Sequence, residues 1–369
     1  VDGWSLGGTP EGVRRYVASL LAEASVTPGP FSWTAAYPAP FLPERPIAAG
    51  RVDYLPIPFP GPVARHRVWE QFLLPGARLA RPGALFLSPS YTLPLLMPRP
   101  RVVMVHDISY EIEPTWFSPR EAFFLRRLTR RAVARADLVL ACSTVTRNDL
   151  QERYGLPDDR CPILFPGIDR CFSPGDREES RRIVARELGL APPYLLTVGA
   201  ILNRRNLPTL VNAAASVMRN RPGLSMAICG VNRTSPRLDL PALFASTGMA
   251  DRFRRLEGVS EGLLVHLYRG ASAFVTLSLY EGFGFPAAEA MACGTPVVAA
   301  RRGSLPEVVG SGGVLVDPTG PGETAAALAG ILDAGDPPAE ETARIAAAVA
   351  GFTWDKTLTR LEGLLGELP

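Results

Sequence analysis

Residues 278–300 read SLYEGFGFPAAEAMACGTPVVAA: the end of an apolar run, a glycine loop, a proline opening a small-residue helix, then a second apolar run. Strand, loop, helix and strand in that order form the unit from which parallel sheets covered by helices are built. Gly282, Gly284 and Ala287 stand at the G-x-G-x-x-A spacing of a dinucleotide-binding loop. Glycine lets the backbone come close to a ligand, and the first turn of a helix presents N–H groups that have no partner inside it. The stretch therefore predicts a phosphate or oxyanion cradle made by Gly282, Phe283, Gly284 and Phe285, with Pro286 at the first helical position.

A nicotinamide-dependent oxidoreductase would place an acid after the next strand to hold a ribose. Here PVVAA is followed by Arg301 and Arg302, and the motif lies deep in the second half of the chain. Two residues that a dinucleotide loop does not need suit a different ligand. Glu289, expected in the first helical turn on the side of the loop, can accept two hydrogen bonds from a ribose diol. Glu281, one residue before the loop, is placed to reach a second polyhydroxyl group beyond the phosphates. Two acids bracketing a phosphate cradle describe a sugar linked through a diphosphate to a nucleoside. The plainer alternative makes both acids ordinary helix-end charges.

The chain has 369 residues, 47% hydrophobic and 20% charged, the makeup of globular material in about two domains. Apolar runs predict strands over 102–105, 138–141, 194–198, 225–229, 273–277 and 296–300, separated by amphipathic helices, and hence an α/β fold with parallel sheets. Val1 and Asp2 read as the tail of a further strand. Ser143 or Thr144 can cap a helix running through Leu150. Ten prolines between Pro28 and Pro62 predict irregular or edge structure, a region suited to shaping an acceptor pocket. The segment FPGIDRCFSPGDREES breaks the alternation and a new series starts at Tyr194, so domains are expected over 1–173 and 174–350.

The net charge of +3 is too small to indicate a nucleic-acid groove, and no nucleic-acid partner is expected. The first 173 residues carry +4 and the remainder −1, and most of the excess lies in PREAFFLRRLTRRAVAR. This reads as an amphipathic helix whose arginine face is either solvated or meets an anionic membrane or an acidic acceptor. Five cysteines show no paired or metal-ligand spacing, which predicts a reducing, cytoplasmic setting. The chain shows no bilayer-length apolar run and no charged-then-apolar leader. There is no D-x-D pair, and Glu111-Ile-Glu113 reads as loop surface, so neither metal nor cofactor is expected.

With these motifs in place the chain resembles the retaining glycosyltransferases of family 4, whose GT-B fold sets two Rossmann-like domains facing across a cleft. EGFGFPAAEAMACGTPVV resembles their E-x7-E signature and TVGAILNRRNLPTLVNAA the segment ending in Arg-Lys-Asn. VVMVHDISYEIEPTWFS resembles the His-Asp segment, and GTPEGVRRYVASLL the first helix. FTWDKTLTRLEGLL, within 351–369, resembles the helix that returns to the first domain, and WEQFLLP is similar to the mannosyltransferase-like branch.

The resemblance implies that Glu281 contacts the transferred sugar and Glu289 the ribose. The amides of Gly282 to Phe285 would hold the sugar and the diphosphate, and Gly8 near the first helix would let the backbone approach the diphosphate. Arg204, Arg205 and Asn206 stand at the Arg-Lys-Asn positions, with Arg205 replacing the lysine. His106 would hydrogen-bond the donor sugar, with Asp107 beside it as an orienting partner. Ala200 departs from the arginine that many members carry. The reaction implied moves a hexosyl group from GDP-mannose or a UDP-sugar to a hydroxyl on a glycan, a lipid-linked acceptor or a small molecule. A sugar-nucleotide epimerase of the same architecture and an NAD(P)-dependent oxidoreductase are the alternatives.

Overall fold

The computed structural model describes residues 1–7, 11–39, 50–59 and 69–369. They form two compact units: Val1–Ile112 with Pro119–Gly167 and Phe352–Pro369, and Glu113–Ser118 with Ile168–Gly351. Gly8 and His66 lie outside the described residues.

In the first unit, strands β3 (Phe86–Ser88), β4 (Arg101–Val105) and β5 (Leu138–Ala141) pair in parallel. Strands β1 (Trp33–Ala39) and β2 (Val52–Pro58) form a second parallel pair. The Val1–Gly3 segment joins the two. Asp2 donates its N–H to the Leu87 carbonyl (3.1 Å), and Gly3 donates to the Ala36 carbonyl (2.7 Å). Val1 and Asp2 thus occupy a strand position, as their sequence suggests. The proline-rich stretch holds edge structure, one of the two forms expected, because β1 and β2 lie within it. Pro56 and Pro58 fall two apart on β2, so their missing N–H groups share one side of an edge strand, where a sheet tolerates them.

Helix α1 (Glu11–Val26) buries Val13, Tyr16, Val17, Leu20, Leu21 and Ala24, a spacing that forms one stripe. Helix α2 (Pro119–Arg135) buries Ala122, Thr129, Ala132 and Val133 and turns its arginines outward. Helix α3 (Thr144–Tyr154) is capped by Ser143, whose Oγ accepts from the Thr146 N–H at 3.1 Å, and it stops at left-handed Gly155. It runs one turn past Leu150.

The C-terminal helix Trp354–Gly366 belongs to this unit and packs on α1, with the Tyr16 and Trp354 rings 5.4 Å apart. Its buried Glu362 accepts from the Trp33 indole N–H (2.9 Å) and from the Arg51 guanidinium.

The second unit holds a six-stranded parallel sheet in the order β11-β10-β9-β6-β7-β8. The strands are β6 (Tyr194–Val198), β7 (Ser225–Cys229), β8 (Phe253–Leu256), β9 (Ala273–Thr276), β10 (Val297–Ala300) and β11 (Val314–Val316). Helices α4 (Arg177–Leu188), α5 (Leu207–Met218), α6 (Glu261–Gly270), α7 (Phe285–Ala292), α8 (Pro321–Ala334) and α9 (Ala339–Val349) cover it. Leu207, Leu210, Val211, Ala214 and Met218 of α5 meet Leu195, Met226, Ile228, Val275 and Val298 of the sheet in one core. From β6 the chain winds one way to β8, then returns to β9 and winds the other way. The strand order therefore reverses between β6 and β9, and in open α/β sheets that is where ligands bind, beyond the carboxyl ends of the strands.

Glu362→Ala leaves Arg51 and the Trp33 N–H without their acceptor. We expect a loss of about 3 kcal/mol, read as a lower urea midpoint for the first unit, with Glu362→Gln losing less. An unchanged midpoint for Glu362→Ala would assign the clamp no stabilising role.

Candidate functional site

Three loops converge at the switch point. The loop after β6 carries Arg204 and Arg205 in a short turn, and Asn206 then enters α5 with φ 52°, the only left-handed non-glycine residue described. The loop after β9 carries Glu281, and Leu279 in that loop donates its N–H to the Arg204 carbonyl at 2.8 Å. The loop after β10 carries Ser304, whose N–H (3.2 Å) and hydroxyl (3.0 Å) both donate to the Glu281 carbonyl. The backbone of Glu281 is thus fixed from both sides.

Its carboxylate is only 6% exposed as a residue and takes the Ser278 hydroxyl at 2.7 Å. Arg205 Nε stands 3.2 Å from Oε1 and an Arg204 terminal nitrogen 3.9 Å from Oε2. The Arg205 approach lies off the line of a good hydrogen bond, so this contact is mainly charge against charge. Arg205 also donates to the Val198 carbonyl at 3.3 Å. Gly199 makes room for it: φ is +118°, and a Cβ there would lie 2.6 Å from a guanidinium nitrogen.

Gly284 caps α7 with φ 96°, and a Cβ on it would meet Leu305 at 2.8 Å, so both the angle and the packing select glycine. Phe285 is the first residue of α7 and Pro286 the second, one position later than expected. Phe283 is buried and its ring meets Phe285 edge-on at 5.1 Å. Glu289 sits in the second turn of α7 rather than the first. It is 1% exposed, and the Tyr268 hydroxyl of α6 donates to its Oε2 at 2.9 Å.

Asn206 holds its own turn together: its amide donates to the Pro318 carbonyl (2.8 Å) and its Oδ1 accepts from Thr209 (2.8 Å). Glu111 departs from the surface reading. It is buried, because Arg126 Nε (2.8 Å) and the Tyr154 hydroxyl (3.1 Å) both donate to it.

His106 lies in the first unit at the end of β4. Its Nε2 is 2.8 Å from the Pro89 carbonyl. A carbonyl only accepts, so Nε2 carries the proton and the neutral ring presents Nδ1 as an acceptor. Burial holds the His106 pKa below its ordinary 6.5, against the opposing pull of the Pro89 carbonyl and of Asp107. The Tyr16 ring stands edge-on at 5.1 Å. The Pro89 carbonyl fixes the ring, and Asp107 Oδ1 takes the Ser109 N–H (3.0 Å) and hydroxyl (2.6 Å). The Cys142 thiol donates to the His106 carbonyl at 2.8 Å, and burial pushes its pKa up to about 12, which makes it a support and not a nucleophile.

Sequence reasoning missed Ser278, Ser304 and Tyr268. Ser278 has a signal, a hydroxyl three residues ahead of an acid. Ser304 reads as a helix cap and Tyr268 as one more apolar helix residue.

His106 should titrate in NMR with a midpoint below 6.5. As pH falls below 6.5 the unfolded chain takes up a proton that the folded chain refuses, so stability declines there; a midpoint above 6.5 would contradict the burial argument.

Residues 27–171 match the family described as Glycosyltransferase Family 4, and residues 177–348 match Glycosyl transferases group 1. The D-inositol 3-phosphate glycosyltransferase of Actinosynnema mirum is 36% identical over 252 residues, covering 64% of this chain and 59% of that protein. The protein of that name from Acidothermus cellulolyticus is 34% identical over 254 residues, covering 64% and 55%. The chain therefore spans little more than half the length of these curated relatives. Among solved structures, Anabaena HepE in complex with UDP and glucose superposes with a TM-score of 0.72 at 18% identity, covering 98% of this chain and 97% of that one. Sucrose-phosphate synthase from Thermosynechococcus elongatus gives 0.71 at 19%, covering 96% and 92%. The fold shared with these neighbours is the GT-B arrangement, in keeping with the parallel sheets of both units. With one family model matched over 27–171 and the other over 177–348, together most of the chain, the protein belongs to the group 1 glycosyltransferases of family 4.

Proposed function

We propose that this chain moves a hexosyl group from a nucleoside-diphosphate sugar to a hydroxyl acceptor with retention at the anomeric carbon. The observation that carries the reading is a buried acid, Glu281, held beside two guanidinium groups at the switch point and directly ahead of a glycine loop that opens a helix. Glu281 would take hydroxyls of the transferred sugar, since a carboxylate already fixed by Ser278 keeps further lone pairs. The diphosphate would lie on the amides of the loop and the first turn of α7, where the helix dipole favours negative charge. Arg205, only loosely aligned with Glu281, retains N–H donors for charge that grows on the departing diphosphate.

Retention follows from the family analogy. The acceptor would attack from the face that the diphosphate leaves, with a phosphate oxygen taking its proton, so no protein base is required. His106 Nδ1 would accept from a hydroxyl of the donor sugar, and Glu289 would hold the ribose diol.

HepE was solved with UDP and glucose, which favours UDP-glucose as the first donor to try, with GDP-mannose next on the strength of the WEQFLLP stretch. The names of the curated relatives put a phosphorylated polyol among the acceptors, alongside glycans and lipid-linked hydroxyls. Five free thiols suit a reducing cytoplasm, and among the described residues no helix is long and apolar enough to cross a membrane.

A melting-temperature screen against UDP-, GDP- and TDP-sugars, followed by turnover with acceptor, tests this function. Stabilisation by a dinucleotide alone would favour an oxidoreductase, and a changed sugar nucleotide without acceptor an epimerase. Arg205→Ala should lower kcat by about a hundredfold; turnover at the wild-type rate would remove its role. The wild type should prefer a nucleoside diphosphate over its 2′-deoxy form by about tenfold, as for one hydrogen bond to a charged group. Tyr268→Phe should weaken that preference by loosening Glu289, and an intact preference would make Tyr268 a packing residue only.

A further inference from the structure

Helix α2 carries Phe123, Arg127, Arg131 and Arg135 at four-residue intervals, and residues so spaced lie in one row along a helix. All four are exposed, Phe123 by 59%. The row ends on a second feature, because the Arg135 guanidinium donates to the Leu95 carbonyl. Leu95 and Leu96 are 47% and 75% exposed. The Leu95 N–H donates to Gln71 Oε1 at 2.9 Å, which ties in the segment carrying Phe72, 72% exposed. Arg78 donates to the Arg99 carbonyl at 3.2 Å, adding one more cation beside this loop. Large apolar side chains therefore stand at both ends of a row of guanidinium groups.

Acids nearby do not cancel the row. Glu111 takes Arg126, and the mostly buried Asp137 takes Arg99 and Arg101. Glu121 precedes Phe123 by two positions on α2, and residues two apart on a helix do not face each other. A merely solvated face needs the arginines but not the exposed phenylalanines and leucines, which cost free energy in water. A nucleic acid would satisfy the cations and leave Leu95, Leu96 and Phe72 in water. A bilayer with anionic headgroups satisfies both, phosphates against arginine and acyl chains against the apolar tips.

We infer that the outer face of α2 together with the Leu95–Leu96 loop is a docking surface for an anionic lipid bilayer. The surface lies within the first unit and does not depend on the nucleotide reading, so either can fail alone. Binding combines insertion of apolar side chains with attraction of guanidinium to lipid phosphate, and either component alone gives weak, reversible attachment.

The test is sedimentation of the full chain with large unilamellar vesicles of phosphatidylcholine, with and without phosphatidylglycerol. We expect partitioning that rises with the phosphatidylglycerol fraction and falls with salt. Arg127→Ala and Arg131→Ala should each reduce it by roughly fivefold, the effect of one basic residue at an anionic surface. A double change, Leu95→Ser with Leu96→Ser, should also reduce it. Melting temperature close to the wild type in each variant confirms that the exposed changes leave the fold intact. Equal binding to neutral and anionic vesicles, no binding to either, or binding that the arginine changes leave untouched would overturn the proposal. Displacement by duplex DNA combined with indifference to the leucine changes would assign the surface to polyanions instead of lipid and overturn it equally.

Discussion

Taking a carboxylate out of water is unfavourable unless hydrogen bonds and opposite charge replace the lost hydration. Glu281 is nearly enclosed, and the loops at the carboxyl ends of β6, β9 and β10 are arranged around that constraint. Ser278 supplies a hydroxyl from its own loop, the β6 loop brings Arg204 and Arg205, and the β10 loop clamps the Glu281 backbone through Ser304. Each loop is short and follows a strand wholly or partly buried in a parallel sheet, so its position is inherited from the core. The result is fixed charge at one end of the second unit's sheet. Such preorganisation is what electrostatic stabilisation of a leaving group requires.

Much of this was legible in the chain. Strands β4, β5, β6 and β7 are short apolar runs that lose nothing by burial on both faces, so composition alone located them. Strand β8 escaped notice because Phe-Arg-Arg-Leu is an edge strand whose arginines face water, and β11 because three residues make no pattern. Strands β1 and β2 were obscured by proline, which argues against a central strand but not against an edge. The glycine loop and its acids were visible because they are unusual residue types at a fixed spacing. The supports were not. Tyr268 lies 21 positions before Glu289, and nothing in a linear pattern reveals that a tyrosine hydroxyl points at a particular acid.

The two histidines described show how far residue identity carries. His266 shares a 3.1 Å hydrogen bond with Ser180, joining α6 to α4 in the second unit, a structural contact. His106 differs because a strand ends there and a backbone carbonyl accepts a hydrogen bond from its Nε2–H, which leaves the Nδ1 lone pair with a defined direction. The sequence distinguishes them only by the strand that precedes His106.

The C-terminal helix has a consequence for biosynthesis. The first unit leaves off at Gly167 and resumes at Phe352, so its Glu362 clamp and the surface that covers α1 emerge from the ribosome only after all of the second unit. Domains made in sequence usually fold in the order of their synthesis. Here α1 must wait with the apolar surface around Tyr16 uncovered while the second unit, nearly continuous in sequence, can close first. The earlier half of the chain is thus the one most in need of chaperone protection while translation is under way.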